Sequence, residues 1–217
     1  MYKFIKHDIP QCEQLNLPEG RRYKTPNGDI YPSVTTVLST NGNPIIAEWR
    51  AKVGDEVADR ITNAAAERGT LVHAWCEAYL KTEPIIVPRM QEEAAEMFGY
   101  MVPELQKIQE VHALEQRLWS DKLRVAGTVD CVARINGRLY IVDFKTSTRY
   151  KSRNDIPNYF MQCAAYALAW YERTGMVISQ MRILITTGEF GMLVYDEPVL
   201  KWIPQFEDLR LKFDSSL

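Results

Sequence analysis

Residues 125–147 constrain the fold most, because they contain the strongest short-range hairpin signal in the chain. Asn136-Gly137 lies between two segments that are rich in β-branched and aromatic residues. An Asn-Gly pair in that setting is typical of a two-residue type I′ turn, in which both residues have positive φ. Such a turn pairs Ile135 with Arg138 and thereby sets the register of both strands.

This register places two acidic side chains opposite each other. Counting back from the turn, Asp130 pairs with Asp143, and Lys145 follows on the same face. Like charges directly opposite destabilise a strand pair, so a bound Mg²⁺ or Mn²⁺ shared by both carboxylates would offset a real cost. The alternative is an exposed edge hairpin on which Lys145 balances Asp143. The run 139–142 is apolar on both faces, which favours a covered strand where an unpaired Asp is costly.

Alternation with period two predicts which residues share each face of the hairpin. We expect a core face of Val125, Val129 and Cys131 with Tyr140, Val142 and Phe144. The opposite face then carries Thr128, Asp130 and Val132 with Ile141, Asp143 and Lys145.

Periodicity and punctuating residues predict the elements around this hairpin. We expect a hairpin at Asn27-Gly28, a helix from Pro44 to Arg68 that ends at Gly69, helices over 70–81 and 89–109 with a break at Pro103, a strand over 111–120, a helix over 157–174, a hairpin over 181–198 and a helix over 203–213. Helices around a small run of strands predict an α/β protein, or α+β with a mixed sheet.

Composition limits the possible classes of protein. The 217 residues are 46% hydrophobic and 25% charged, which is ordinary for a folded domain. A net charge of −2 gives no general attraction to nucleic acid, so a basic groove would have to be local. No apolar run approaches the roughly 20 residues of a membrane span, so we expect no membrane partner. The first residues resemble neither a signal peptide nor a transit peptide, so we expect an intracellular, cytoplasmic protein. The four cysteines form no CxxC pair and are predicted to be free, buried thiols.

The spacing of the two aspartates and the lysine resembles a known family. Asp130-x₁₂-Asp143-x-Lys145 is similar to the PD-(D/E)XK nucleases, and Gly127–Asp130 with Asp143–Lys145 resembles the GxxD and DxK motifs of their RecB-like exonuclease branch. Further stretches resemble this branch and the mitochondrial genome maintenance exonucleases with their phage relatives: the histidine motif 68–73, the QxxxY motif 162–166, and the segment 31–38 with Trp49.

The resemblance implies a restriction-endonuclease-like core and assigns roles to residues. It implies a single nuclease domain over 1–217, with a mainly helical part over 1–110 that roofs the site, a catalytic sheet and helix over 111–200, and a C-terminal helix over 201–217. The implied metal ligands are His73, Asp130, Asp143 and the Phe144 carbonyl, with Glu115 as a further candidate, and the implied catalytic group is Asp130, Asp143, Lys145, Gln162 and Tyr166. Several relatives hold an iron–sulfur cluster through cysteines near the C-terminus. The last cysteine here is Cys163, so we expect no cluster.

DNA-binding candidates come from the resemblance and from a local basic stretch. Ser33 and Thr35 are implied to bind a phosphate, although capping a turn is the plain alternative. Residues 146–153 interleave cations with hydroxyls and an aromatic ring, which suits phosphate contacts and base stacking. The candidates there are Ser147, Arg149, Tyr150, Lys151 and Arg153, with Trp49 and Trp75 as further stacking residues and Arg21 and Arg22 as weaker contacts.

These residues support one main hypothesis and two alternatives. The main one is a metal-dependent exonuclease that uses Mg²⁺ or Mn²⁺ on single-stranded DNA with a free end, acting as a monomer. The alternatives are a site-specific or structure-specific endonuclease on the same core, and a non-catalytic DNA-binding module. A phage-encoded protein that acts in the host cytoplasm is compatible with the phage relatives.

Overall fold

A six-stranded mixed sheet lies at the centre of the computed structural model, which describes residues 2–42 and 44–215. In chain order the elements are β1 (Lys3–Phe4), β2 (Glu13–Leu17), β3 (Gly20–Lys24), β4 (Ile30–Pro32), α1 (Val34–Leu38), α2 (Pro44–Val53), α3 (Asp55–Lys81), α4 (Glu92–Leu105), β5 (Ile108–Ser120), β6 (Val125–Ile135), β7 (Arg138–Ser147), α5 (Pro157–Thr174), β8 (Gln180–Thr187), β9 (Gly191–Pro198) and α6 (Ile203–Ser215). Residues 216 and 217 of the predicted C-terminal segment, like Met1 and Asn43, lie outside the described residues.

The spatial order of the sheet is β1-β5-β6-β7-β8-β9. Strands β5, β6 and β7 form an antiparallel meander, while β7 and β8 are parallel and are joined by α5, which forms the crossover between them. Strand β9 returns antiparallel to β8, and β1 lies parallel to β5 at the opposite edge. The predicted mixed sheet flanked by helices is confirmed.

Helices cover both faces of this sheet. On one face, α5 packs with α1 and α6 around large side chains that include Phe160, Trp170 and Phe206. On the other face, α3 and α4 form a second core against the same strands. Ile141 belongs to the first core and Val142 to the second, so β7 is buried on both sides, as its sequence predicts.

The central hairpin has the predicted turn, but its ladder is one pair shorter than predicted. Asn136 and Gly137 have φ values of 49° and 76°, and pairing runs from Ile135–Arg138 to Cys131–Val142. The ladder stops before the predicted pair of Asp130 and Asp143. The Asp130 carboxylate accepts the backbone N–H of Phe144 at 2.8 Å, a donor that a continued ladder would give to the β6 backbone.

The prediction of a single core face on this hairpin was wrong. Val129 packs in the α5-side core, whereas Cys131 packs against α3 and α4. Between them, the pairing of β5 with β6 omits the position of Glu115 and Asp130, and Glu115 has a φ of 47°. The left-handed residue interrupts the alternation of side chains on β5, and on β6 the unpaired Asp130 opposite it separates Val129 from Cys131, which face different cores.

The predicted boundary between the first two long helices was also wrong. The chain breaks at Gly54, whose φ is 84° and whose N–H donates to the Arg50 carbonyl at 2.9 Å. Helix α3 then continues through Gly69 to Lys81. Gly69 marks a close approach to β7, because a Cβ there would lie 3.4 Å from Oγ1 of Thr146.

The N-terminal part contains a second, three-stranded sheet in the order β2-β3-β4. The hairpin at Asn27-Gly28 was predicted, but β2 was not. This sheet packs on β5 and β6 through a small buried cluster that includes Cys12, Tyr23 and Trp119. Helix α4 passes Pro103 without a break and ends at Leu105.

All four cysteines are free and buried, as predicted. Among the described residues, no helix combines the length and the apolarity that crossing a bilayer requires.

Candidate active site

A cleft of about 390 Å³ opens between the central sheet and the N-terminal sheet. Helices α3 and α5 and strands β5, β6 and β7 each supply a wall residue. The lining residues that were predicted to bind metal or to act in catalysis are His73, Glu115, Asp130, Lys145, Gln162 and Tyr166. With Ser33 and Thr35, eight of the predicted site residues line this one cavity, although they are up to 133 positions apart in the sequence.

Three of these side chains form a group that can hold a divalent metal ion. One ligand atom from each of His73, Glu115 and Asp130 lies within 4.8 Å of the other two, and these three residues are called the metal group below. Nδ1 of His73 is 3.6 Å from Oδ2 of Asp130. An imidazole with two carboxylates is a donor set that suits Mn²⁺ and accommodates Mg²⁺. The left-handed backbone at Glu115 contributes to this convergence, because its strand neighbours pack into the two cores.

Asp143 is engaged differently from Asp130. Nζ of Lys145 donates to its Oδ1 at 2.6 Å, and the Asp143 side chain is only 3% exposed. Oδ2 lies equally close to Nζ but lacks hydrogen-bond geometry, so it is a buried oxygen without a hydrogen bond among the described residues. Each aspartate therefore has its own partner in the protein: Lys145 for Asp143, and the Phe144 N–H with His73 for Asp130. A ligand role for Asp143 and for the Phe144 carbonyl stays a prediction.

Burial and like charges perturb the acidic groups of the cleft. Burial of the carboxyl in the cleft wall raises the pKa of Glu115 to about 7, with further contributions from Asp130 and Glu77, although other atoms of this residue are exposed. Burial raises the pKa of Asp143 to about 7 against the lowering effect of Lys145. Burial lowers the pKa of Lys145, but the charges of Asp143 and Asp130 outweigh it and raise that pKa above its usual value, which keeps the ammonium charged.

The QxxxY residues lie on the buried face of α5 beneath the cleft. Gln162 and Tyr166 are both buried and lie one helical turn apart. The Tyr166 ring fills the space above Gly127, where a Cβ would lie 2.6 Å from the phenolic oxygen. The glycine of the GxxD motif is thus the residue that lets Tyr166 approach β6.

The opposite wall comes from the N-terminal part, and sequence reasoning found only some of it. Ser33 and Thr35 line it as the resemblance implies, while Gln14 and Tyr23 were missed and Arg21 was a weaker candidate. Nothing in the local pattern of 14–23 marks these residues. Their role depends on the fold of the N-terminal sheet over the cleft.

Ser33 also performs the plain structural role considered for it. Its hydroxyl caps α1 by accepting the N–H of Thr36 at 2.9 Å. The same oxygen lies 2.9 Å from the Thr35 hydroxyl, so the two hydroxyls are already linked within the wall.

The basic stretch after β7 divides into exposed and internally paired residues. The Ser147 hydroxyl bonds to the backbone of Arg149, and Tyr150 is 54% exposed with its ring 5.9 Å from that of Phe190. Arg153 pairs with Glu197 on β9, so its charge is used within the protein.

Three further candidates lie away from the cleft lining. The Lys151 carbonyl accepts the Tyr195 hydroxyl. Trp49, on α2, is half-buried and does not line the cleft. Trp75 is a core residue against Phe98, which excludes it from stacking on a base.

A family model described as the PD-(D/E)XK nuclease superfamily matches residues 47–205, which include both aspartates, Lys145 and the QxxxY motif. The chain belongs to the PD-(D/E)XK nuclease superfamily. Nucleases of this superfamily use divalent metal ions, and the matched residues include the three that converge in the cleft, His73, Glu115 and Asp130.

Two curated relatives and one solved structure are also similar to this chain. The chain is 26% identical over 145 residues to mitochondrial genome maintenance exonuclease 1 of Mus musculus, covering 62% of this chain and 43% of that protein. The Homo sapiens protein of the same name is 26% identical over 134 residues, covering 57% and 38%. This chain therefore spans less than half the length of these curated relatives. A crystal structure of a candidate exonuclease from Eubacterium rectale superposes with a TM-score of 0.51 at 14% identity, covering 82% of this chain and 77% of that one, which supports the fold.

Proposed function

We propose that this protein is a metal-dependent DNA exonuclease that prefers single-stranded DNA with a free end. The observation that carries the proposal is the convergence of His73, Glu115 and Asp130 within 4.8 Å on a cleft that also contains Lys145. The similarity to mitochondrial genome maintenance exonuclease 1 supports the exonuclease activity and the choice of DNA. A role in DNA replication, repair or recombination is part of the same proposal.

The donor set fits a divalent metal ion. His73, Glu115 and Asp130 would hold it. Oδ2 of the buried Asp143, which is ion-paired with Lys145 but accepts no hydrogen bond among the described residues, is a further oxygen. A bound Mg²⁺ or Mn²⁺ supplies Lewis-acid polarisation of a phosphate and a water of lowered pKa. Both ions are proposed, because a single imidazole among carboxylates suits Mn²⁺ without excluding Mg²⁺.

Lys145 acts on the charge that develops at the scissile phosphate. Its Nζ is fixed between the Asp143 carboxylate, at 2.6 Å, and the Tyr159 ring, whose centroid is 5.1 Å away. Because its pKa is raised, the side chain stays an ammonium and serves to orient the attacking water and stabilise the anionic transition state. Gln162 and Tyr166 support the strand that carries Asp130.

The shape of the cleft supports a single-stranded substrate. The N-terminal sheet and the start of α1 face the metal group across a cavity of about 390 Å³, which is far smaller than a duplex about 20 Å wide would fill. A flexible strand with a free end can enter between these two walls, which is the physical basis of the exonuclease proposal. The monomeric state and the cytoplasmic location stay predictions.

An endonuclease is the second candidate, because the cleft continues past the metal group. A groove of about 410 Å³ along α3 shares His73 and Glu115 with the cleft, so a strand with no end could in principle lie across the site.

End-labelled linear single strands, closed circular single strands and blunt duplexes, each with Mg²⁺, Mn²⁺ or EDTA, test the proposal. We expect linear strands to be degraded to short products, duplexes to be cut poorly, circles to survive, and EDTA to stop all cleavage. Asp130→Asn is the control for a contaminating nuclease. Rapid cutting of the circle would favour the endonuclease, and binding without cleavage under every metal would favour a non-catalytic module.

A further inference from the structure

The charges around the metal group differ between its two sides. The groove along α3 (Ala66, Gly69, Thr70, His73, Ala74, Glu77 and Glu115) contains two carboxylates and neither lysine nor arginine. The cleft on the other side also contains two carboxylates, those of Glu115 and Asp130, but adds the cations Lys145 and Arg21. A polyanionic strand therefore finds cations that offset the carboxylates on the side of the N-terminal sheet, whereas the lining of the α3 groove supplies none.

Of the two cations in the cleft, Arg21 is the one that forms no ion pair with another described residue. Lys145 is held by Asp143 at 2.6 Å. Arg21 is exposed, and no carboxylate of the described residues lies within 4.0 Å of it. Its neighbour Arg22 points to the other face of β3 and lies 3.8 Å from Glu19, outside the cleft lining.

The backbone of Arg21 is fixed relative to the metal group by a chain of hydrogen bonds. Its carbonyl accepts the Ser33 N–H at 2.9 Å and the Thr36 hydroxyl at 3.3 Å. Ser33 forms a parallel bridge with Ala126, which lies on the strand that carries Asp130. Arg21 and the metal group thus belong to one packed unit, and the arginine approaches the cleft from a defined position.

We propose that Arg21 is a substrate-positioning residue that binds a backbone phosphate flanking the scissile one, on the side of the N-terminal sheet. The guanidinium can contact two oxygens of one phosphate, and the exposed Thr35 hydroxyl on the same wall adds a donor. The bound strand then lies under the N-terminal sheet. This inference rests on the proposed nuclease function and adds the direction from which the strand enters.

Replacing one phosphate at a time by a neutral methylphosphonate tests the contact directly. The substrate is a linear single strand with one substitution at each position near the cleaved end, and kcat and KM are measured for wild type, Arg21→Ala and Arg21→Lys. Arg22→Ala is the matched control, since it removes the same charge from the adjacent position outside the cleft. Thermal melts confirm that all variants are folded.

We expect Arg21→Ala to raise KM about tenfold, and Arg21→Lys to recover part of the loss. In the wild type, one flanking methylphosphonate should cost about the same factor, and in Arg21→Ala that same substitution should cost nothing further. The slope of log KM against log salt should fall by about 0.7 in Arg21→Ala, as for one lost phosphate contact on a single strand.

If Arg21→Ala matches Arg22→Ala in KM, salt slope and methylphosphonate sensitivity while the wild type cuts DNA, the inference is wrong and the proposed function stands. If the wild type neither cuts nor binds the unmodified strand with any metal, the proposed function is wrong and the inference falls with it.

Discussion

Gly127→Ala tests whether the close approach of Tyr166 to β6 holds the site together. The added Cβ would lie 2.6 Å from the Tyr166 phenolic oxygen and 2.9 Å from Cε1 of the ring. Ordinary contact begins at 3.4 Å, so the ring or the strand must retreat by about 0.8 Å. Tyr166 is 4% exposed and packed in the α5-side core, so it has little room to move.

The expected cost follows from overpacking in a dense core. Such insertions cost about 1–3 kcal/mol, which for a protein of this size lowers the melting temperature by about 2–4 °C per kcal/mol. Asp130 lies three residues along the same strand, and a displacement near 1 Å in an active site can reduce the rate about 10²-fold. We expect Gly127→Ala to be folded, less stable and about 10²-fold slower in degrading linear single strands.

A double-mutant cycle separates this clash from a general effect of the strand. Tyr166→Phe removes the atom at 2.6 Å but leaves Cε1 at 2.9 Å, so the double variant should recover part of the stability that Gly127→Ala loses. Gly99→Ala is the control: Gly99 is exposed on α4 with nothing within 4 Å of the added atom, and the change should stabilise the helix by about 1 kcal/mol. A Gly127→Ala protein with wild-type melting temperature and rate would refute the reasoning, and strict additivity with Tyr166→Phe would refute the assigned contact.

The remaining predictions concern the charges of the site. Asp143→Asn should lower the free energy of unfolding in EDTA by up to about 3–5 kcal/mol, because it leaves the Lys145 ammonium without its partner; the 18% exposure of Lys145 reduces this cost. Asp130→Asn should cost much less, because its amide oxygen can still accept the Phe144 N–H. Equal urea midpoints for the two variants would contradict this prediction. In the metal-free protein, the raised pKa of Glu115 means that its contribution to the free energy of unfolding is complete below about pH 4.5 and is lost as the pH rises to about 7. Glu115→Gln should therefore reduce the pH dependence of the urea-unfolding free energy over that range. An unchanged pH dependence would show that the pKa of Glu115 is not raised. His73→Ala should weaken Mn²⁺ binding about 10–100-fold, measured by calorimetry, and should leave the melting temperature in EDTA unchanged. Nuclease activity should return partly at high Mn²⁺ concentration. Full activity at low Mn²⁺ concentration would show that His73 is not a ligand.

Local chemistry determined much of the fold. Asn136-Gly137 set the turn and the register down to Cys131–Val142, because a type I′ turn needs positive φ at both positions and pairing then follows by counting. The apolar run before Asp143 indicated a strand covered on both sides. The motif spacing was enough to indicate the nuclease superfamily.

Tertiary structure decided which side chains meet. No local pattern shows that Glu115 has a left-handed backbone, that the ladder stops before Asp130, or that Lys145 compensates Asp143. Gly69 illustrates the same limit. From the sequence alone it predicts the end of a helix, and only the structure shows that the helix continues and that Gly69 lies close to a strand.

The wall that faces the metal group was the least accessible to sequence reasoning. Gln14, Arg21 and Tyr23 lie about 100 residues before the strands that carry Glu115, Asp130 and Lys145, and they belong to no motif. Their position depends on Ser33 and Ala126 forming a bridge between the two sheets. Contacts between residues far apart in the chain depend on the packing of whole elements, and local propensity and spacing contain no information about that packing.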